Sequence, residues 1–146
     1  MEMKKSPWII WVGGFFLVSL DQILKYLART TPHTQVYLIK DWLGWEYFEN
    51  TGIALSLPLP QWVVLFSTPI ILVLVIYLLH TTSSLRAQTG FTLILLGALS
   101  NYIDRLLFQK TIDYIRIVTG IINIADILIV IGILYLAFPK KTDYRT

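Results

Sequence analysis

The chain has 146 residues, of which 55% are hydrophobic and only 14% are charged. Soluble domains average about 45–50% apolar and about 25% charged residues, and a fold of this length cannot hide such an excess of apolar surface from water. The composition therefore excludes an ordinary water-soluble domain. It indicates one domain, spanning residues 1–146, whose main solvent is lipid.

Residue counts also exclude several kinds of chemistry. Cysteine is absent, which excludes disulfides, thiolate metal sites and a cysteine nucleophile. Only His33 and His80 are histidines, and neither stands in a His-Glu-x-x-His pattern, so we expect no metal site and no cofactor. A net charge of +3 provides no basic stripe for a phosphate backbone, so we expect no nucleic-acid partner.

Four apolar segments are long enough to cross a hydrocarbon core, which takes roughly 20 helical residues. They cover about residues 7–27, 61–79, 91–107 and 121–138. The first begins like a secretory signal, with Lys4 and Lys5 before the apolar run, but no small-x-small cleavage site follows, so we expect it to be retained. The predicted fold is therefore an all-α membrane protein with four transmembrane helices.

The distribution of basic residues predicts the orientation. With four spans, both termini and the loop 80–90 share one side, and the remaining loops share the other. The first side carries Lys4, Lys5, Arg86, Lys140, Lys141 and Arg145, whereas the second carries Arg29, Lys40, Lys110 and Arg116. Because basic residues concentrate in short cytoplasmic flanks, we expect both termini in the cytoplasm.

The outer loop, residues 28–60, contains a predicted β-hairpin. Residues 36–40 and 45–49 are rich in β-branched and aromatic side chains, and residues 41–44 between them supply turn chemistry. We expect this extracytoplasmic hairpin to lie on the membrane surface. Its aromatic side chains would face lipid headgroups or a substrate, or the hairpin would simply cap the helices.

Polar residues of the predicted helices converge at one depth. They are Asp21 and Lys25 in the first helix, Asn101, Asp104 and Arg105 near the end of the third, and Asn123 and Asp126 near the beginning of the fourth. Because the first and third helices run outward and the fourth runs inward, all of them fall near the outer interface. Charged groups inside a membrane are costly and usually mark a functional cavity.

Structural roles remain open for several of these residues. Asp21 and Lys25 stand one turn apart on one face and would form an ion pair that locks the first helix to its neighbours. Asp104 and Arg105 would be partners at a helix end, with Arg105 or Lys25 steadying the nearby carboxylates. Asn123 would donate a hydrogen bond between helices.

Asp113 and Asp126 are harder to explain as structural residues. Asp113 lies in an extended apolar stretch, residues 111–115, whose nearest basic residue is Arg116, and nothing near Asp126 in sequence neutralises it. The loop between them is short, so we expect two neighbouring carboxyls, of which burial and like charge keep one protonated. That shared proton is what aspartic proteolysis requires.

Five segments in order resemble the blocks of the bacterial lipoprotein signal peptidases, the type II signal peptidase family of four-helix membrane aspartic peptidases. Asp21–Lys25 resembles its Asp-x-x-x-Lys element, Glu49–Ala54 its Asn-x-Gly-x-Ala element, and Gly97–Arg105 its Gly-Ala-x-x-Asn-x-x-Asp-Arg block. Asp113–Ile115 and Asn123–Asp126 resemble the two blocks that hold the catalytic aspartates. The family commonly has Phe where this chain has Leu55, Tyr114 and Ile122.

The resemblance implies a function and a set of roles. Asp113 and Asp126 would be the catalytic pair, and Asn50, Gly52, Asn101, Arg105 and Asn123 would shape the substrate site, with Asp21, Lys25 and Asp104 as supports. The substrate would be a prolipoprotein, cut before a cysteine that already bears diacylglycerol. The enzyme would be a monomer in the bacterial inner membrane, with its site near the outer face.

Three other functions are alternatives to this one. A small proton- or ion-coupled carrier would use the buried carboxylates as a relay, but the cytoplasmic halves of the predicted helices are nearly pure apolar. A serine peptidase would pair Ser19 with Lys25, but a separation of six residues puts these side chains on different helix faces. A non-catalytic assembly factor also remained open.

Overall fold

The computed structural model describes residues 8–52, 59–118 and 120–138. The basic residues predicted to fix the termini in the cytoplasm, other than Arg86, lie outside the described residues, as does Leu55. The elements in chain order are α1 (Trp8–Thr30), β1 (Val36–Ile39), β2 (Leu43–Asn50), α2 (Gln61–Thr81), α3 (Leu85–Phe108), β3 (Thr111–Ile117), β4 (Gly120–Ile122) and α4 (Ile124–Ala137).

Three helices of the described chain, α1, α2 and α3, are long and apolar enough to cross a membrane. On α2 only Val64 and Val75 are buried, whereas large apolar residues such as Phe66 and Ile70 are about 70% exposed, at 69% and 71%. A helix that is apolar on all sides and buries so little against protein is typical of a lipid-facing span. The predicted multi-pass membrane architecture is therefore confirmed.

Two helices begin at positions other than those predicted. α3 begins at Leu85 instead of about residue 91, because the Ser84 side chain caps it by accepting the amide of Ala87. α4 begins at Ile124 instead of about residue 121, because residues 120–122 pair with β3. It has 14 residues.

The predicted hairpin is half of a larger sheet. β1 and β2 pair as expected, but β2 also pairs with β3 and β3 with β4, which gives a four-stranded antiparallel sheet in the order β1-β2-β3-β4. The all-α prediction with a single hairpin was therefore too simple. Pairing of β2 with β3 places Phe48 opposite Asp113, and Asn50 opposite Thr111.

Glycines let α3 and α4 approach each other closely. A Cβ atom added to Gly97 would lie 2.4 Å from the carbonyl oxygen of Ala125, and one added to Gly132 would lie 2.6 Å from that of Gly90. Neither position has room for a side chain, so the two helix backbones are in contact. This contact brings the polar end of α3 beside the first turn of α4.

Candidate active site

Asp113 is fully buried on β3 and has an amide donor on each carboxyl oxygen. Its Oδ1 accepts from Asn123 Nδ2 at 2.5 Å, and its Oδ2 accepts from Asn50 Nδ2 at 3.0 Å. Burial, followed by the negative charge of Asp126, raises the pKa of Asp113 to about 7, although the two amides oppose this shift. Its carboxyl therefore holds a proton at a pH where an ordinary aspartate is ionised.

Asp126 lies in the first turn of α4, where a capping box fixes it. The backbone amide of Asp126 donates to Asn123 Oδ1 at 2.8 Å, and the backbone amide of Asn123 donates back to Asp126 Oδ2 at 3.3 Å. The other oxygen, Oδ1, accepts from Asn101 Nδ2 at 2.8 Å. Amide donors and the positive end of the helix dipole favour a carboxylate at this position.

Asn123 connects the two aspartates. Its backbone and side chain form the capping box with Asp126, while its Nδ2 also reaches Asp113 and lies 3.2 Å from Asn101 Oδ1. Asn123 has no exposed surface. Both predicted carboxyls therefore contact one buried asparagine.

Lys25 is the centre of a buried charge cluster beside this pair. Its Nζ lies 2.9 Å from Asp21 Oδ2, from Asp104 Oδ2 and from Asn101 Oδ1. Lys25 is 3% exposed, and both carboxylates are exposed by 1% or less. The ion pair that was predicted within α1 is present, and it extends to α3.

Arg105 does not pair with Asp104, so that prediction was wrong. Successive side chains on a helix point about 100° apart, and Arg105 is directed instead at the end of β2. It donates to Thr111 Oγ1 at 3.0 Å and to the carbonyl of Gly52 at 2.8 Å. The Gly52 amide in turn donates to Asn50 Oδ1 at 3.0 Å, so this arginine anchors the turn that presents Asn50 to Asp113.

Arg116, the basic residue nearest Asp113 in sequence, is also directed elsewhere. Its guanidinium forms a two-pronged ion pair with Glu46 on the neighbouring strand, with Nη2 2.8 Å from Oε1. The pKa of Glu46 is lowered by this bond. Arg116 is therefore not the counter-ion of Asp113.

A cavity of about 450 Å³ lies between α2, α3 and α4 next to these groups. Polar residues on its wall include Asn50, Asn101, Arg105 and Asp126. Apolar residues from the three helices, among them Val64, Ala98, Ile129 and Val130, also line it. The cavity thus joins a polar site to an apolar space between helices.

Several residues of the site were not predicted. Gln22 Nε2 donates to Asp104 Oδ1 at 3.1 Å and to Ser100 Oγ at 2.9 Å, and the Tyr114 hydroxyl donates to Asp21 Oδ1 at 2.8 Å. Gln22 and Ser100 are polar residues within apolar helices, each next to a predicted site residue. That position is the sequence signal that could have identified them. Ser19 and Lys25 form no dyad, as their spacing of six residues predicts: exposed Ser19 donates to the carbonyl of Phe15 at 2.8 Å.

Comparisons with known proteins agree over nearly the whole chain. A family model described as signal peptidase (SPase) II matches residues 14–139. The lipoprotein signal peptidase of Nostoc punctiforme is 34% identical over 159 residues, covering 99% of this chain and 98% of that protein. The one from Bartonella henselae is 32% identical over 155 residues, covering 99% and 94%.

A solved structure gives the same result for the fold. A bacterial membrane enzyme determined by the in meso method at 2.3 Å resolution matches with a TM-score of 0.82 at 27% sequence identity. The match covers 93% of this chain and 89% of that one. The sequence relatives, the family match and the shared membrane fold lead to one conclusion: this chain belongs to the signal peptidase II family, a family of proteases in lipoprotein processing.

Proposed function

We propose that this chain is an aspartic endopeptidase that removes the signal peptide from diacylglyceryl-modified prolipoproteins, cutting before the lipidated cysteine. The observation that carries the proposal is the meeting of Asp113 and Asp126 around Asn123, beside a cavity that is polar at one end and apolar along its helices. The pair needs no metal and no covalent intermediate. The relatives named as lipoprotein signal peptidases support the substrate class.

The surroundings of the two carboxyls support different roles for them. Asp126, in the first turn of α4 with amide donors on both oxygens, acts as the carboxylate that takes a proton from the attacking water. Asp113, whose pKa is raised to about 7, holds the proton that polarises the scissile carbonyl. A carbon–oxygen bond forms, the peptide carbon–nitrogen bond breaks, and the proton taken from water goes to the leaving nitrogen.

Neighbouring residues complete the site. Asn50, Gly52, Asn101, Arg105 and Asn123 shape the place where the scissile peptide lies, and Asp21, Lys25 and Asp104 support it. The substrate's acyl chains occupy the apolar part of the cavity, between helices that face lipid. We propose that the enzyme acts as a monomer.

The proposed arrangement in the bacterial inner membrane has four spans and cytoplasmic termini. α4 would form the fourth span, although its 14 described residues extend only about 21 Å at 1.5 Å per residue. The late position of Asp104 in α3 and the early position of Asp126 in α4 support a site at one membrane face, here the outer face. Exposed apolar residues at the sheet's turn, such as Leu38 and Trp42, support contact with lipid headgroups.

The test is cleavage by the purified protein in detergent of a diacylglyceryl-modified precursor, compared with the same precursor left unmodified. We expect cleavage of the modified form only, with the lipidated cysteine as the new N-terminus by mass spectrometry. Equal cleavage of both forms would remove lipid recognition from the proposal. The carrier alternative predicts instead proton or ion flux in vesicles and no cleavage of either precursor.

A further inference from the structure

Asp21 on α1 accepts an unusual number of hydrogen bonds for one buried carboxylate. Its Oδ2 faces Lys25 Nζ at 2.9 Å and accepts from the Ser100 hydroxyl at 2.7 Å. Its Oδ1 accepts from the Tyr114 hydroxyl at 2.8 Å and from the amides of Ile124 at 3.0 Å and Ala125 at 3.4 Å. The side chain has no exposed surface, so every one of these bonds forms away from bulk water.

The donors to Oδ1 come from the two segments that carry the proposed catalytic pair. Tyr114 directly follows Asp113 on β3, and Ala125 directly precedes Asp126 on α4. The Tyr114 hydroxyl also lies 3.3 Å from the Ile124 amide, so the two segments touch each other at this oxygen. Asp21 Oδ1 on α1 therefore bonds both to β3, which carries Asp113, and to α4, which carries Asp126.

Asp21 also completes the cap of α4. The first amides of a helix have no partner within the helix and must be satisfied from outside. The capping box satisfies the backbone amides of Asn123 and Asp126, and Asp21 accepts from the two that remain, those of Ile124 and Ala125. A carboxylate at a helix N-terminus is further stabilised by the helix dipole, so Asp21 fixes where α4 begins.

We propose that Asp21 and the Tyr114 hydroxyl form a positioning junction that sets the spacing between Asp113 and Asp126. The proposal rests on the proposed function, because it assigns a role toward that reaction. Neither residue touches substrate. Asp21 and Tyr114 act through the backbone segments that they hold, and proteolysis between two carboxyls depends steeply on their separation.

The test is Tyr114→Phe, which removes only the hydroxyl, with Tyr37→Phe as the matched control. Tyr37 lies in the same sheet as Tyr114, and its hydroxyl also donates to a carboxylate at 2.8 Å. The acceptor is Glu46 Oε2, which lies away from the junction. With the modified precursor, we expect Tyr114→Phe to lower kcat about fivefold, as for the loss of one hydrogen bond. KM should stay within twofold, and Tyr37→Phe should match the wild type in both constants.

Amide hydrogen exchange gives a second readout that does not need activity. We expect faster exchange at Ile124 and Ala125 in Tyr114→Phe and no change there in Tyr37→Phe. Three results for Tyr114→Phe would overturn the junction as a positioning device. They are unchanged exchange at these amides, faster exchange with an unchanged kcat, and a rise in KM without a fall in kcat. If the wild type cleaved nothing, the proposed function would fail and the catalytic role of the junction with it, whereas an active wild type with an unaltered Tyr114→Phe would overturn the junction alone.

Discussion

Asp113 and Asp126 have the same side chain but different surroundings. Asp126 stands at the N-terminus of a helix and accepts from a backbone amide and from Asn101. Asp113 stands on a strand and accepts from the side-chain amides of Asn50 and Asn123, whereas Arg116 pairs with Glu46. The difference arises from where the chain places each residue, and it supports the proposed roles of Asp113 as proton donor and Asp126 as proton acceptor.

The raised pKa of Asp113 predicts how activity depends on pH. If its protonated form polarises the substrate carbonyl, kcat should fall about tenfold per pH unit above about pH 7. The check is kcat for the modified precursor measured between pH 5 and pH 9. A kcat that rises through that range would contradict the assignment of the proton to Asp113.

The same shift affects stability in a direction that can be measured separately. Because the folded state keeps a proton on Asp113 that the unfolded chain loses near its ordinary pKa of 3.8, the free energy of unfolding should fall as pH rises from about 4 to about 7. Asp113→Asn has no carboxyl to ionise. Its melting temperature should therefore fall less than that of the wild type between pH 5 and pH 8.

The candidate site depends on close contact between the helices α3 and α4. Gly97 lies one helical turn before Asn101, and it packs against the backbone of Ala125, which precedes Asp126. Any side chain at Gly97 would push the helix of Asn101 away from that of Asp126. The hydrogen bond of 2.8 Å between these two residues would then lengthen.

Gly97→Ala should therefore lower both stability and activity. Overpacking of a closed contact costs about 1–3 kcal/mol, and the added Cβ would lie 2.4 Å from a carbonyl oxygen that cannot move alone. Gly13→Ala is the control, because a Cβ there meets nothing within 4 Å. The measurement is the melting temperature in detergent. A Gly97→Ala protein as stable as Gly13→Ala would show that the helices are not in close contact.

The elements that could be predicted best from the sequence were the long apolar helices. Uninterrupted apolar runs predicted α1, α2 and most of α3. The chain directions predicted that Lys25 and Asp104 lie at the same depth, where the structure has them 2.9 Å apart. Pairing of β2 with β3 was not predicted, because these strands lie about sixty residues apart and no local pattern encodes which distant strand a hairpin joins.

Individual contacts of the site were predictable only in part. Position along the helices predicted that Asp126 and Asn101 lie at the same depth, but not that they form a hydrogen bond. It also did not predict that Arg105 turns away from Asp104 to hold Gly52. The Tyr114 hydroxyl was seen in sequence only as a departure from the family's usual Phe. Its bond to Asp21 depends on the sheet, the helix cap and α1 together.

The whole molecule concentrates its buried charge at one end of the helices. Lys25 and Asp104 lie in the last third of α1 and α3, Asp21 lies one turn before Lys25, and Asp126 lies in the first turn of α4. The loop between α2 and α3, which contains Arg86, lies at the opposite ends of those helices. We propose that this loop lies in the cytoplasm and the sheet on the outer side of the membrane.

Cysteine labelling can test this orientation, because the chain has no cysteine of its own. Ser83→Cys places a thiol between α2 and α3, and Lys40→Cys places one at the exposed turn after β1. In intact spheroplasts, a membrane-impermeant maleimide should label Lys40→Cys and should spare Ser83→Cys until the membrane is opened. The reverse labelling pattern would show that the protein has the opposite orientation in the membrane.

The central claim is that Asp113 and Asp126 carry out the cleavage, and the most direct measurement is turnover of the diacylglyceryl-modified precursor by Asp113→Asn and Asp126→Asn. Asp41→Asn is the control, because Asp41 is an exposed turn residue with a φ of 62°, a conformation that Asn adopts readily. We expect both site variants to fold and insert but to lose turnover at least a thousandfold, while Asp41→Asn keeps the wild-type rate. Turnover retained in either site variant would contradict the account.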